Sequence, residues 1–106
     1  MNEFKDDILE QTQQGTEDRT EEPPMYKVVF YNDDFTPRTF VVEILVELFH
    51  KPVAEATELM WRVHRGQRGV AGIYPREIAE VKVTTGVALA RENGFPFMLT
   101  MEPDQA

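Results

Sequence analysis

Apolar side chains change their spacing several times along this chain, and each change marks an element. MYKVVFY, residues 25–31, is a run of aromatic and β-branched residues that reads as a strand. From Thr36 onward the spacing turns helical. Phe40, Val41, Ile44, Leu45, Leu48 and Phe49 recur on one face, while Glu43 and Glu47 face water. Thr36 is suited to cap that helix and Pro37 to its first position. Pro52 then closes it and starts a second helix, from about Val53 to His64, with Ala56, Leu59, Met60 and Val63 as its apolar stripe and Gly66 as its stop. QRGVAGIY follows as a strand with glycine irregularities. Pro75 and Glu77 open a third helix that runs to Asn93, with Gly94 behind it. FPFMLTM reads as a last strand, its proline near the start, where a missing N–H is tolerated. The predicted order is strand, helix, helix, strand, helix, strand, an α+β sandwich with the helices on one face of a sheet.

Ahead of this pattern lies MNEFKDDILEQTQQGTEDRTEEPP, which has too few apolar residues to offset the entropy of ordering it. Residues 1–24 are therefore expected to be a disordered extension, with Pro23 and Pro24 as a stiff boundary to a single domain over residues 25–106. Only Phe4, Ile8 and Leu9 could form a weak helical turn there. The extension also carries most of the charge. It holds eight acids and two bases, −6 of the chain's net −8, which leaves −2 for the domain. Such a balance disfavours nucleic acid and anionic membranes and favours cationic partners. Arg62, Arg65 and Arg68 do not reverse that reading, because helical geometry spreads them and no aromatic residues interleave them as a stacking platform.

With 106 residues and 42% of them hydrophobic, one small domain with a real core is expected. The chain has no cysteine, so disulfides, thiolate zinc sites and cysteine nucleophiles are excluded together. Neither a signal peptide nor an apolar run of the ~20 residues a span requires is visible, and a soluble cytoplasmic protein is expected.

Candidate chemistry gathers at YNDDFTP, where the first strand hands over to the first helix. Asn32, Asp33 and Asp34 are three polar acceptors in a row, more than one turn needs. The calcium-loop pattern, with its later Gly and Glu, is missing, so a metal is not expected. His64 ends the apolar stripe of the second helix, one turn beyond Met60. An Asp34–His64 pair could serve acid–base catalysis in a small hydrolase, yet no nucleophile accompanies it in a recognisable motif. An amide oxygen, a carboxylate and a neutral imidazole do suit a primary ammonium, which has three donors and one positive charge. An apolar wall of Met, Val and Phe beside them would supply a slot for a large aliphatic or aromatic side chain. Those two features describe a receptor for the free N-terminus of a peptide that begins with a large hydrophobic residue.

These residues also match a known family. MYKVVFYNDDFTPRTFV, ATELMWRVHRGQRGVAGIY, EIAEVKV and ARENGFPFMLTMEP resemble, in order and over about residues 24–103, the ClpS adaptors of bacterial N-degron degradation. The resemblance implies a three-stranded antiparallel sheet packed with three helices. It also implies an adaptor, without enzymatic activity or cofactor and monomeric when free. Such an adaptor hands proteins beginning with Leu, Phe, Tyr or Trp to the N-terminal domain of a ClpA-type AAA+ unfoldase. Carried over residue by residue, the ammonium acceptors fall on Asn32, Asp34 and His64, with Asp33 beside them. Thr36 falls along the bound peptide. The slot falls on Val41, Met60 and Val63, with Phe97 as a final wall, and unfoldase docking falls on Glu77 and Lys82. The resemblance gives the N-terminal extension a weaker role in substrate hand-over. A plain regulatory docking domain without a working pocket is the remaining alternative. The chain departs from the family at Arg38, where members often carry a gate methionine, and at Thr39, where they often carry Glu. Arg38 opposes the helix dipole and Thr39 forfeits a capping box, so neither serves the helix. Arg38 is expected to line the gate and meet bound peptide with its guanidinium.

Overall fold

The computed structural model describes residues 23–105, and nearly all of the expected N-terminal extension lies outside them. Strand β1 spans Met25–Tyr31, as the run of β-branched and aromatic residues predicts. Helix α1 spans Arg38–Glu47, α2 Val53–Gly66 and α3 Arg76–Glu92; strands β2 and β3 span Arg68–Pro75 and Leu99–Pro103. The strands pair antiparallel in the order β2-β1-β3, so β1 is central and its register with both neighbours is set along its length. Between Val28 and Val29 the register slips against β2, because Val28 faces Gly72 and Val29 faces Val70. Ala71 is the extra residue of that bulge, and it is buried.

One cluster of buried side chains holds the layers together. Val28 and Phe30, on one face of β1, cluster with Leu99 of β3, with Leu45, Leu59, Val63 and Ala90 from the three helices, and with Phe49 just behind α1. Helix α3 lies close over β3 because position 86 has no side chain. A Cβ at Gly86 would run into Leu99 Cδ1 and stand 3.2 Å from Leu48 Cδ2.

Four element ends differ from the periodicity reading, each for a local reason. Thr36 does not cap α1: the residue before the helix is Pro37, no side chain caps it, and the Thr36 hydroxyl is turned instead to Asp33. Helix α1 stops at Glu47, ahead of Pro52. Its freed carbonyls find other donors, Lys51 N–H on Leu45 O at 3.1 Å and Lys82 Nζ on Leu48 O at 2.8 Å, while His50 turns the chain at φ 57°. Gly66 is the last helical residue of α2, and the positive φ behind it, 87°, falls on Gln67. The last strand begins at Leu99 rather than at Phe95, because Arg91 Nη1 takes up the carbonyls of Phe95 and Phe97, each at 2.8 Å, and Pro96 has no N–H to pair.

Candidate functional site

The positive φ at Gln67 is what assembles the site. It turns the end of α2 back so that the Gln67 carbonyl accepts the Asn32 N–H at 2.8 Å, while the Gln67 N–H donates to Val63 at 2.8 Å. The end of β1 is thereby tied to the last turns of α2, which carry Met60, Val63 and His64. The turn after Asn32 brings the first turn of α1 against the same place. The end of β1, the first turn of α1 and the last turns of α2 thus form the walls of one cavity of about 130 Å³. A cavity of about 150 Å³ takes a benzene, so this one is scaled to a single large side chain.

Within the turn, Asp33 answers why so many acceptors follow the strand. Its Oδ1 accepts the N–H groups of Phe35 at 2.8 Å and Thr36 at 2.7 Å, and its Oδ2 accepts the Thr36 hydroxyl at 2.8 Å. Asp33 is therefore a turn-former in the Asx manner, with most of its acceptor capacity already used. Among the described residues Asn32, half-buried, and Asp34, exposed, keep theirs. Asp33→Ala removes three hydrogen bonds worth about 0.5–1.5 kcal/mol each. We expect it to lower stability by roughly 1–3 kcal/mol in chemical denaturation and to weaken whatever the pocket binds. Asp33→Asn keeps an oxygen for the two N–H groups and should recover most of the stability; an alanine variant as stable as the parent would refute this role.

The floor of the cavity is apolar. Met60 and Val63 are buried, at 7% and 3% exposure, and Val41 closes the α1 side. The rim is polar, with Asn32, Asp34 and His64 around the mouth and Thr36 and Arg38 at the α1 end. His64 is exposed, and its ring meets Trp61 edge-on at 5.6 Å between centroids. Of the residues expected here, Phe97 is not in the lining. It lies one layer behind, 1% exposed, with its ring 6.1 Å from Phe30 and 6.0 Å from Phe40. The reason is the Arg91 clamp, which folds the segment before β3 into the core. Phe30 takes the wall position instead, and Tyr31 joins it. The alternation along β1 held a signal for Phe30, which points inward with Val28.

Glu77 and Lys82 lie on α3, away from the cavity. Glu77 is an exposed residue of the first turn, whereas Lys82 is half-buried, bonded to the Leu48 carbonyl and set over the Tyr74 ring at 5.4 Å and the Phe49 ring at 6.0 Å.

The site can accept hydrogen bonds and bury one apolar group. The chain contains no serine; of the hydroxyls on the lining residues, that of Thr36 donates to Asp33 and that of Tyr31 bonds with the Thr100 hydroxyl, neither to an imidazole. Among the described residues no three His, Cys, Asp or Glu side chains converge as a metal site requires.

Comparison with known proteins bears on the same residues. Residues 21–100 match the family model described as ATP-dependent Clp protease adaptor protein ClpS. The ATP-dependent Clp protease adapter protein ClpS of Myxococcus xanthus is 43% identical over 94 residues, 89% of this chain and 88% of that protein. Its counterpart in Desulforapulum autotrophicum is 44% identical over 97 residues, 92% of this chain and 93% of the relative. Among solved structures, Agrobacterium tumefaciens ClpS2 bound to L-phenylalaninamide superposes with a TM-score of 0.75 at 38% identity, over 78% of this chain and all of that one.

Proposed function

The chain belongs to the ClpS family of ATP-dependent Clp protease adaptors, and on that premise we propose that it is a non-enzymatic adaptor of the cytoplasm that recognises N-degrons. It binds the free N-terminus of proteins beginning with Leu, Phe, Tyr or Trp and delivers them to the N-terminal domain of a ClpA-type unfoldase. One observation carries the reading: an apolar cavity the size of one side chain opens directly onto Asn32, Asp34 and His64. The first side chain of the substrate enters between Val41, Met60 and Val63. Its ammonium donates to the acceptors at the mouth, and the chain behind it leaves past Thr36 and Arg38. The similar ClpS2 of Agrobacterium tumefaciens is bound to an amino-acid amide with an aromatic side chain, which is the same chemistry.

The exposed surface of α3, outside the cavity lining, suits docking on the unfoldase. Glu77 and Lys82 share α3 with two exposed apolar residues, Ile78 at 47% and Val81 at 62% exposure, an arrangement that favours a partner rather than solvent.

Burial of a leucine side chain is worth about 1.5–3 kcal/mol, and charge-assisted hydrogen bonds about 1.5–3 kcal/mol each. Immobilising the ligand costs ~4 kcal/mol or more, so micromolar affinity is expected. The test is a pair of measurements on the full chain: fluorescence anisotropy with labelled peptides led by Leu, Phe, Tyr, Trp and Val, and degradation of a Leu-led reporter by a ClpA-type unfoldase with its peptidase. We expect micromolar binding of the first four, weak binding of the β-branched Val peptide, and chain-dependent degradation. Docking on the unfoldase without binding of any peptide would overturn the recognition half and leave a regulatory domain.

A further inference from the structure

Beside the cavity, on the outer face of α1 and α2, runs an open groove of about 380 Å³ lined by Arg38, Thr39, Val42, Thr57, Met60 and Trp61. Two of these residues, Arg38 and Met60, also line the cavity, so the groove adjoins it at its α1 end. Its floor is apolar, made by Val42, Met60 and the ring of the chain's single tryptophan, which is 39% exposed. The guanidinium of Arg38 stands over that ring, 5.1 Å from its centroid. A cation–π contact of this kind favours arginine over lysine and restricts where the planar group sits. Arg38 is also the only Lys or Arg lining either hollow. Among the described residues the ion pairs are Arg68–Glu102 and Arg76–Glu80, and the Arg38 charge has no carboxylate partner there. Charge is therefore divided along the adjoining hollows: carboxylates at the mouth of the cavity, a cation on the rim that the two share.

We infer that this groove is a second subsite of the same peptide site and that it reads the two residues directly behind the N-terminal one, favouring a carboxylate there through Arg38 held on Trp61. The inference rests on the N-degron reading above. On that reading a peptide anchored in the cavity by its first side chain leaves past Thr36 and Arg38, over the shared rim. Each further residue advances an extended chain by about 3.3 Å, so the second and third residues lie over the groove. An acidic side chain with an apolar stem matches it, because the stem covers Met60 and Trp61 while the carboxylate accepts from the guanidinium. A lysine at the same place meets a like charge.

The experiment measures Kd by anisotropy competition for four peptides led by Leu, with Asp or Lys at the second residue and Asp or Lys at the third. They are compared on the parent, Arg38→Met and Trp61→Ala. A partly exposed pair of this kind is worth roughly a two- to five-fold change in affinity. The parent should therefore prefer Asp over Lys at one or both positions, more so at low salt than at high. In Arg38→Met the preference should vanish or reverse, since only the carboxylates of the turn remain nearby. Trp61→Ala should reduce it, because the guanidinium loses its support. Ratios are compared within each variant, so a general change in binding cancels. If all four peptides bind and the Asp-to-Lys ratio is the same in the parent and Arg38→Met, the subsite is refuted while the N-degron reading stands. If none of the four binds the parent, the N-degron reading fails and the subsite with it.

Discussion

Acetylating the amine of a Leu-led peptide is expected to lower its affinity by on the order of a hundredfold, with the side chain and everything behind it unchanged. An ammonium brings three donors and a full charge, whereas an acetylated amine keeps one donor and no charge. Asn32 and His64 lie at the mouth of the cavity with acceptors the turn does not use, and Asp34 adds its carboxylate. Losing two charge-assisted bonds at about 1.5 kcal/mol each corresponds to a factor of about a hundred. The low end of the range applies because Asp34 and His64 are exposed, and water replaces part of what the ammonium gave. Apolar burial alone, about 1.5–3 kcal/mol for leucine, cannot hold the acetylated peptide against the cost of immobilising it. Anisotropy with the two peptides side by side makes the measurement. Equal affinities would mean that the acceptors at the mouth do not read the N-terminus and that the cavity is a plain hydrophobic slot.

How much of this was legible in the sequence depended on whether local chemistry or a distant partner decided each feature. Strand β1 could be bounded to the residue, because a run of seven residues, six of them apolar or aromatic, ends at an Asn. The interior faces of the helices were equally readable, since Ile44, Leu45, Ala56, Leu59, Met60 and Val63 are all buried as their spacing requires. Element ends were less so. Thr36 has the chemistry of a helix cap, and only the backbone path of the turn shows that Asp33 claims its hydroxyl first. Phe97 looks equally suited to a pocket wall or a core, and the choice is made by Arg91, an α3 residue that holds the carbonyls on either side of Pro96. The gathering of Asn32, Asp34 and His64 was reached through chemistry and family resemblance, whereas the link that brings them together is a backbone hydrogen bond from Asn32 to Gln67. No periodicity encodes such a bond. The stacking of Arg38 on Trp61 was likewise out of reach, because one lies in the first turn of α1 and the other in the middle of α2.

Gly69→Ala is expected to damage both stability and binding, and Val63→Ala in the same chain to restore much of the loss. Gly69 sits near the start of β2, opposite Phe30 of β1. A Cβ built there would overlap Val63 Cγ2 and stand 3.4 Å from Leu59 Cδ1 and 3.5 Å from Phe30 Cε1. All three neighbours are buried and two of them, Val63 and Phe30, line the cavity. The added methyl therefore has two ways out. Either β2 moves off α2, which opens the core and costs about 1–3 kcal/mol as overpacking does, or Val63 is pushed toward the cavity and takes volume from the bound side chain. Interior packing is too dense for the clash to be absorbed without one of these. Trimming Val63 to alanine removes the atom that collides, so the two substitutions should be strongly non-additive, by about 1 kcal/mol or more in a double-mutant cycle. Chemical denaturation gives the stability arm and anisotropy with a Leu-led peptide the binding arm. A double variant whose losses simply add would show that the close approach of Gly69 to Val63 does not shape the cavity, and that the glycine answers instead to the bulge two residues on.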